Sequence, residues 1–203
     1  LPDADALPAP RGQAPAPETK AALAAAVHAM AGRHATLAIP GACAIQRIVS
    51  LPATDPAEIA GMVDLQIDAL SPFPPETVAG SFELLETGAA ESRVLIAAVP
   101  KNLLEPAGDL LRQQGLRIDR ITLSTLGWWT WIRRRLAANP AGRRVALIAD
   151  RQNGELIVAD QGAPILFRAI ARPPGLEPPG FAQDLAQETA YSLTALQLEH
   201  GHA

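Results

Sequence analysis

A chain of 203 residues that is 48% hydrophobic and carries 17 basic against 21 acidic side chains, net charge −4, has the apolar content for one or two cores. It lacks the concentrated positive face that a nucleic-acid partner requires. A single cysteine, Cys43, excludes an internal disulfide and a zinc-ribbon or zinc-finger site, and the histidines His28, His34, His200 and His202 are too scattered for a metal cluster. This usage fits a reducing cytoplasm. No run reaches the roughly 18 uninterrupted apolar residues of a membrane-spanning helix. The start has neither a basic end followed by an apolar run, so no signal peptide is expected, nor an initiating methionine, which suggests a fragment.

The first 17 residues hold five prolines, and residues 1–17 are read as an extended linker. Alanine content then favours a helix over 18–30, with Leu23, Val27 and Met30 on one stripe. "ATLAIPG" (35–41) reads as a short buried strand and "CAIQRIVSLP" (43–52) as a second, rich in β-branched residues. Asp55 caps the next helix, Pro56 takes its first position and Glu58 completes a capping-box pattern. Ile59, Met62, Val63, Ile67 and Leu70 share the core face, opposite Asp64 and Asp68. "SPFPP" (71–75) stops this helix, because a proline pushes the preceding residue out of helical backbone and lacks an amide donor.

"VAGSFELLE" (78–86) and "SRVLIAAVP" (92–100) predict a hairpin. A helix follows from near Asn102 to Gly115, or from nearer Glu105 if Pro106 must lie in its first turn. "LRIDRITLS" (116–124) is a further strand. The order β-α-β-β-α-β matches a split, ferredoxin-like unit in which two helices cover one face of a sheet. From Ser124 or Thr125 a helix runs to about Ala138, with Trp128 and Trp129 expected in the core and Trp131 on the flank. Strands over 143–150, 154–160 and 164–170 form a meander, and after "RPPGLEPPG" (172–180) a last helix covers 181–199.

The residues that could carry chemistry are few. Asp64 and Asp68 suit a solvated helix face better than acid/base catalysis, and Cys43 has no histidine near it in sequence, so no catalytic residue is expected. No glycine-rich phosphate-binding motif occurs; the closest feature is "DRQNG" (150–154), which reads as a hairpin turn. "WWTWIRRRL" (128–136) and "SPFPP" each read either as core or as a docking surface, which makes Pro72, Phe73, Pro74 and Trp131 the candidate partner-binding residues.

Taken in order, "LAIPG", "IVSLP", a capped helix ending in "LSPFPPETV", "FELLE", "VLIAAVPKNLLEPAGDLLRQQGLRIDRITLSTLG" and "VALIADRQNGELIVADQGAPILFRAI" resemble the PilM family. These are actin-like cytoplasmic proteins of type IV pilus assembly, similar to the cytoplasmic region of the type II secretion protein GspL. The resemblance runs from about Glu18 to Leu198. It implies an α+β or α/β chain with a partial actin-like (ribonuclease H-like) fold. Residues 18–42 and 124–142 would belong to the first lobe, 43–123 to an inserted β-α-β-β-α-β subdomain, and 143–203 to the start of the second lobe.

The first Asp-x-Gly phosphate loop of actin-like ATPases has no counterpart in this sequence, and the second is represented by Asp150 and Gly154 with larger residues between them. No cofactor is therefore expected, ATP entering only if the missing loop lies upstream, and no metal. The resemblance implies a cytoplasmic scaffold, peripheral to the inner membrane. It would bind the tail of a single-span membrane partner, with a pilus or secretion motor ATPase as a second contact. The competing readings are an actin-like ATPase and a division protein of the FtsA kind.

Overall fold

A computed structural model describes residues 17–29, 32–137, 139–150 and 152–200; all of the linker read over 1–17 except Pro17 lies outside them. Helix α1 (Pro17–Ala29) leads into strand β1 (His34–Ile39). The chain then makes β2 (Ile45–Leu51), α2 (Pro56–Leu70), β3 (Val78–Thr87), β4 (Ser92–Pro100), α3 (Lys101–Gln113) and β5 (Arg117–Leu123). Helix α4 (Ser124–Leu136), the meander β6 (Arg143–Ala149), β7 (Asn153–Asp160) and β8 (Ala163–Ala171), and helix α5 (Pro178–His200) complete it. The described strands form three sheets: β1 parallel to β5, antiparallel β2-β4-β3, and antiparallel β6-β7-β8.

Local rules set most boundaries. Asp55 Oδ1 accepts hydrogen bonds from the amides of Ala57 (2.9 Å) and Glu58 (3.2 Å), a cap worth about 1 kcal/mol. Gly115 adopts φ +75° just past α3, and the Leu116 amide closes the helix on the Leu111 carbonyl at 3.1 Å. That helix begins at Lys101, earlier than either expected start, with Pro106 inside it. The proline ring removes only the bond that would reach the Asn102 carbonyl, one turn from the N-terminus.

Strand β4 is the keystone, because its continuous apolar run is buried on both faces. Val94, Ile96 and Ala98 pack against Ile59, Val63 and Ile67 of α2. On the other face Leu95 meets Trp129 and Ile132 of α4 and Ile157 and Phe167 of the third sheet. Val99, on that face too, packs with Ile39, Leu123 and the half-buried Leu103 and Leu104 of α3. Helices α2 and α3 of the β-α-β-β-α-β run thus lie on opposite faces of β4, not on one. Strand β5, counted with that unit in the sequence, pairs instead with β1, from His34↔Arg117 to Ile39↔Leu123. Sequence order alone does not reveal this, since both partners are short strands with equally apolar neighbours.

The tryptophans divide differently from expectation. Trp129 is buried and stacks edge-on against Phe167, with ring centroids 6.1 Å apart. Trp128 is 40% exposed, a correction with a simple cause: the buried stripe of α4 is Thr125, Trp129 and Ile132, and residue 128 lies at its margin, about 65° from its centre at about 100° per residue.

Candidate functional site

Three places could carry function: the turn at 150–154, the two candidate docking patches, and a groove between β3 and β5. Each is governed by how it satisfies its backbone groups.

At the turn, Asp150 Oδ1 accepts hydrogen bonds from the amides of Gln152 (2.6 Å) and Asn153 (2.7 Å), and the Asp150 amide donates to the Asn153 carbonyl at 2.9 Å. The bond from Gln152, then that from Asn153, holds the Asp150 carboxyl below the usual carboxylate range. A phosphate would need these same amides and would meet an ionised carboxylate already seated on them. Gly154 is buried for another reason: a Cβ there would lie 2.2 Å from Leu185 Cδ2 of α5. The glycine admits a helix, and the aspartate closes its own turn.

The docking residues do not come together. Ser71 leaves the helix at φ −82°, ψ 126°; its hydroxyl accepts from the Phe73 amide at 3.1 Å and donates to the Phe73 carbonyl at 3.2 Å. That pair of hydrogen bonds fixes the turn with the half-buried Phe73 packed against the core of α2, while Pro72 and Pro74 stay exposed. Trp131 lies on the outer side of α4, 50% exposed, with the Arg135 guanidinium 3.4 Å over its ring. None of these four lines the groove.

That groove, of about 300 Å³, runs between residues 79–83 of β3 and 120–123 of β5. Its floor is apolar: Leu95, Ala97 and Val99 from the face of β4 turned away from α2, with Leu126 of α4. Among the described residues both bordering strands are sheet edges. Small Ala97 leaves depth where a larger side chain would fill it, and Ile121 on the rim is 48% exposed. Across the mouth Arg120 Nη2 and Glu83 Oε2 stand 3.8 Å apart, an exposed pair of little energetic weight. Sequence reasoning missed Ala97, Arg120 and Ile121 because the groove exists only through the pairing of β5 with β1. The one available signal was Ile121 itself, an apolar residue directly after the charged Arg120 in "RIDRI".

Among the described residues no cluster of three or more histidine, cysteine, aspartate or glutamate side chains suited to a metal occurs, and no helix is long and apolar enough to cross a membrane.

No protein-family model and no curated protein matches the sequence. Solved structures are similar in fold. One, described as the PilM-PilN type IV pilus biogenesis complex, superposes with a TM-score of 0.67 at 19% identity over 80% of this chain and 52% of that one. A Bacteroides thetaiotaomicron protein with an actin-like ATPase fold and unknown function gives 0.53 at 11% identity, over 88% of this chain and 62% of that one. The fold is actin-like. The cytoplasmic domain of EpsL, an inner-membrane component of the Vibrio cholerae type II secretion system, gives 0.50 at 15% identity, over 75% of this chain and 56% of that one. The chain spans between half and two thirds of the length of these structures. This partial actin-like fold agrees with the architecture that the PilM resemblance implied.

Proposed function

We propose that this protein is a non-catalytic scaffold of a type IV pilus or type II secretion assembly platform, cytoplasmic and peripheral to the inner membrane. Its groove between β3 and β5 takes the extended cytoplasmic tail of a single-span membrane partner. The observation that carries this reading is the pair of facing strand edges above an apolar floor. An extended peptide laid there adds a strand, its backbone bonding to an edge and its alternate side chains entering the floor. The similar structure described as a PilM-PilN complex supports a partnered protein. The self-closed turn at Asp150 supports a role without nucleotide hydrolysis. A pilus or secretion motor ATPase is the second partner of such a platform.

Fluorescence anisotropy tests the groove, with the labelled cytoplasmic tail of a single-span inner-membrane assembly protein as probe. Micromolar binding that is lost in Ile121→Glu and in Ala97→Phe, both still folded, is expected. Binding indifferent to both substitutions would remove the tail from this groove. The competing reading, an actin-like ATPase completed by a loop upstream, predicts micromolar Mg-ATP binding in calorimetry; the scaffold reading predicts none.

A further inference from the structure

We infer that one sodium-sized cation binds inside the protein where Glu155, Gln46, Ser124 and Thr125 converge on Gly41. Glu155, on central strand β7, is 6% exposed. Its Oε1 accepts a hydrogen bond from Ser124 Oγ, while its Oε2 has no partner. The Ser124 hydroxyl in turn accepts from the Gly41 amide at 3.3 Å. Thr125, 1% exposed, leaves Oγ1 unpaired, and both polar atoms of the buried Gln46 amide are unpaired. Thr125 and Gln46 meet at Gly41, to which Glu155 is linked through Ser124: a Cβ on Gly41 would come within 2.5 Å of Thr125 Oγ1 and 3.0 Å of both Gln46 Nε2 and the Ala169 methyl.

The node has an unbalanced charge as well as unpaired atoms. Among the described residues no lysine, arginine or histidine pairs with Glu155. A buried carboxylate without a cation is costly, and the partial positive charge at the start of α4 compensates it only in part. A water molecule would supply a donor but no charge. The remaining side-chain atoms suited to an ion are oxygens, of Gln46, Ser124 and Thr125, which select a hard cation. One carboxylate with neutral oxygens balances a single positive charge and leaves a divalent ion such as calcium half uncompensated. Crowding around Gly41 favours sodium over potassium. The site stitches three segments: Gly41 precedes the inserted unit, Ser124 follows it, and Glu155 belongs to the third sheet.

Thermal unfolding at about 150 mM salt tests this with sodium, potassium and choline chlorides on the wild-type chain and on Glu155→Gln. The wild type should melt about 3–6 °C higher in sodium than in choline, saturably, and the variant should show no difference. Equal melting in all three salts overturns the site, as does a sodium effect that survives in the variant; the Gln46 amide nitrogen turned onto Glu155 would then be the explanation. Should Glu155→Gln fail to fold, the sodium-23 linewidth with wild-type protein decides. A sodium line broadened by the wild-type chain and not by folded Thr125→Val supports the site, and a line left unbroadened by the wild type, or broadened equally by both, overturns it.

Discussion

The turn at 150–154 and the groove between β3 and β5 treat backbone hydrogen-bonding groups in opposite ways. The turn spends its amides on its own Asp150 carboxylate and fills the space behind Gly154 with Leu185. The groove leaves two sheet edges facing each other over an apolar floor. An edge strand with unpaired groups is an open template for another chain, whereas a self-capped turn offers an incoming phosphate nothing it does not already hold. On the proposed function, binding capacity lies where the backbone is unfinished.

Substitutions can break that contrast from either side. Gly154→Val should cost the most, about 2–3 kcal/mol in urea unfolding, because the new side chain collides with the buried Leu185. If it instead left stability unchanged, the glycine would not be there for helix packing. Phe73→Ala should cost about 2 kcal/mol, less than a fully buried phenylalanine, since the ring is half-buried against the core of α2. Tail affinity should be untouched, and a loss of affinity at full stability would return Phe73 to the docking surface.

How much of this was legible beforehand follows the range of the interactions. The cap at Asp55, the stop at Ser71, the Gly115 terminus and the meander β6-β7-β8 rest on neighbours in sequence, and the structure has them where those neighbours dictate. What was misread depends on partners far along the chain. The pairing of β5 with β1, the placement of α2 and α3 on opposite faces of β4 and the exposure of Trp128 all follow from which element lands on which. The groove inherits that difficulty, because its two walls are 37 residues or more apart in sequence, residues 79–83 against 120–123. Asp150 and Gly154 were found as positions, but their structural duties appeared only with the hydrogen bonds and with α5.

Smaller effects sharpen the contrast further. Ile121→Glu should weaken tail binding at least tenfold, about 1.4 kcal/mol, while stability changes by under about 0.5 kcal/mol because the side chain is 48% exposed. Asp150→Asn should show the smallest effect, a few tenths of a kcal/mol after allowing for its exposure. Its folded carboxyl is held low by the Gln152 and Asn153 amides, so the stabilisation is present above the unfolded value near pH 3.9. It is lost as pH falls through the lower folded value. Unfolding followed from pH 5 down to about pH 2 should therefore lose that part of its acid dependence in the asparagine variant.

Amide hydrogen exchange with and without a saturating partner tail tests the central claim most directly. A tail seated in the groove should slow exchange in residues 79–83 and 120–123 together and leave the turn at 150–154 unchanged. Protection that appears elsewhere, or in neither wall of the groove, would contradict it.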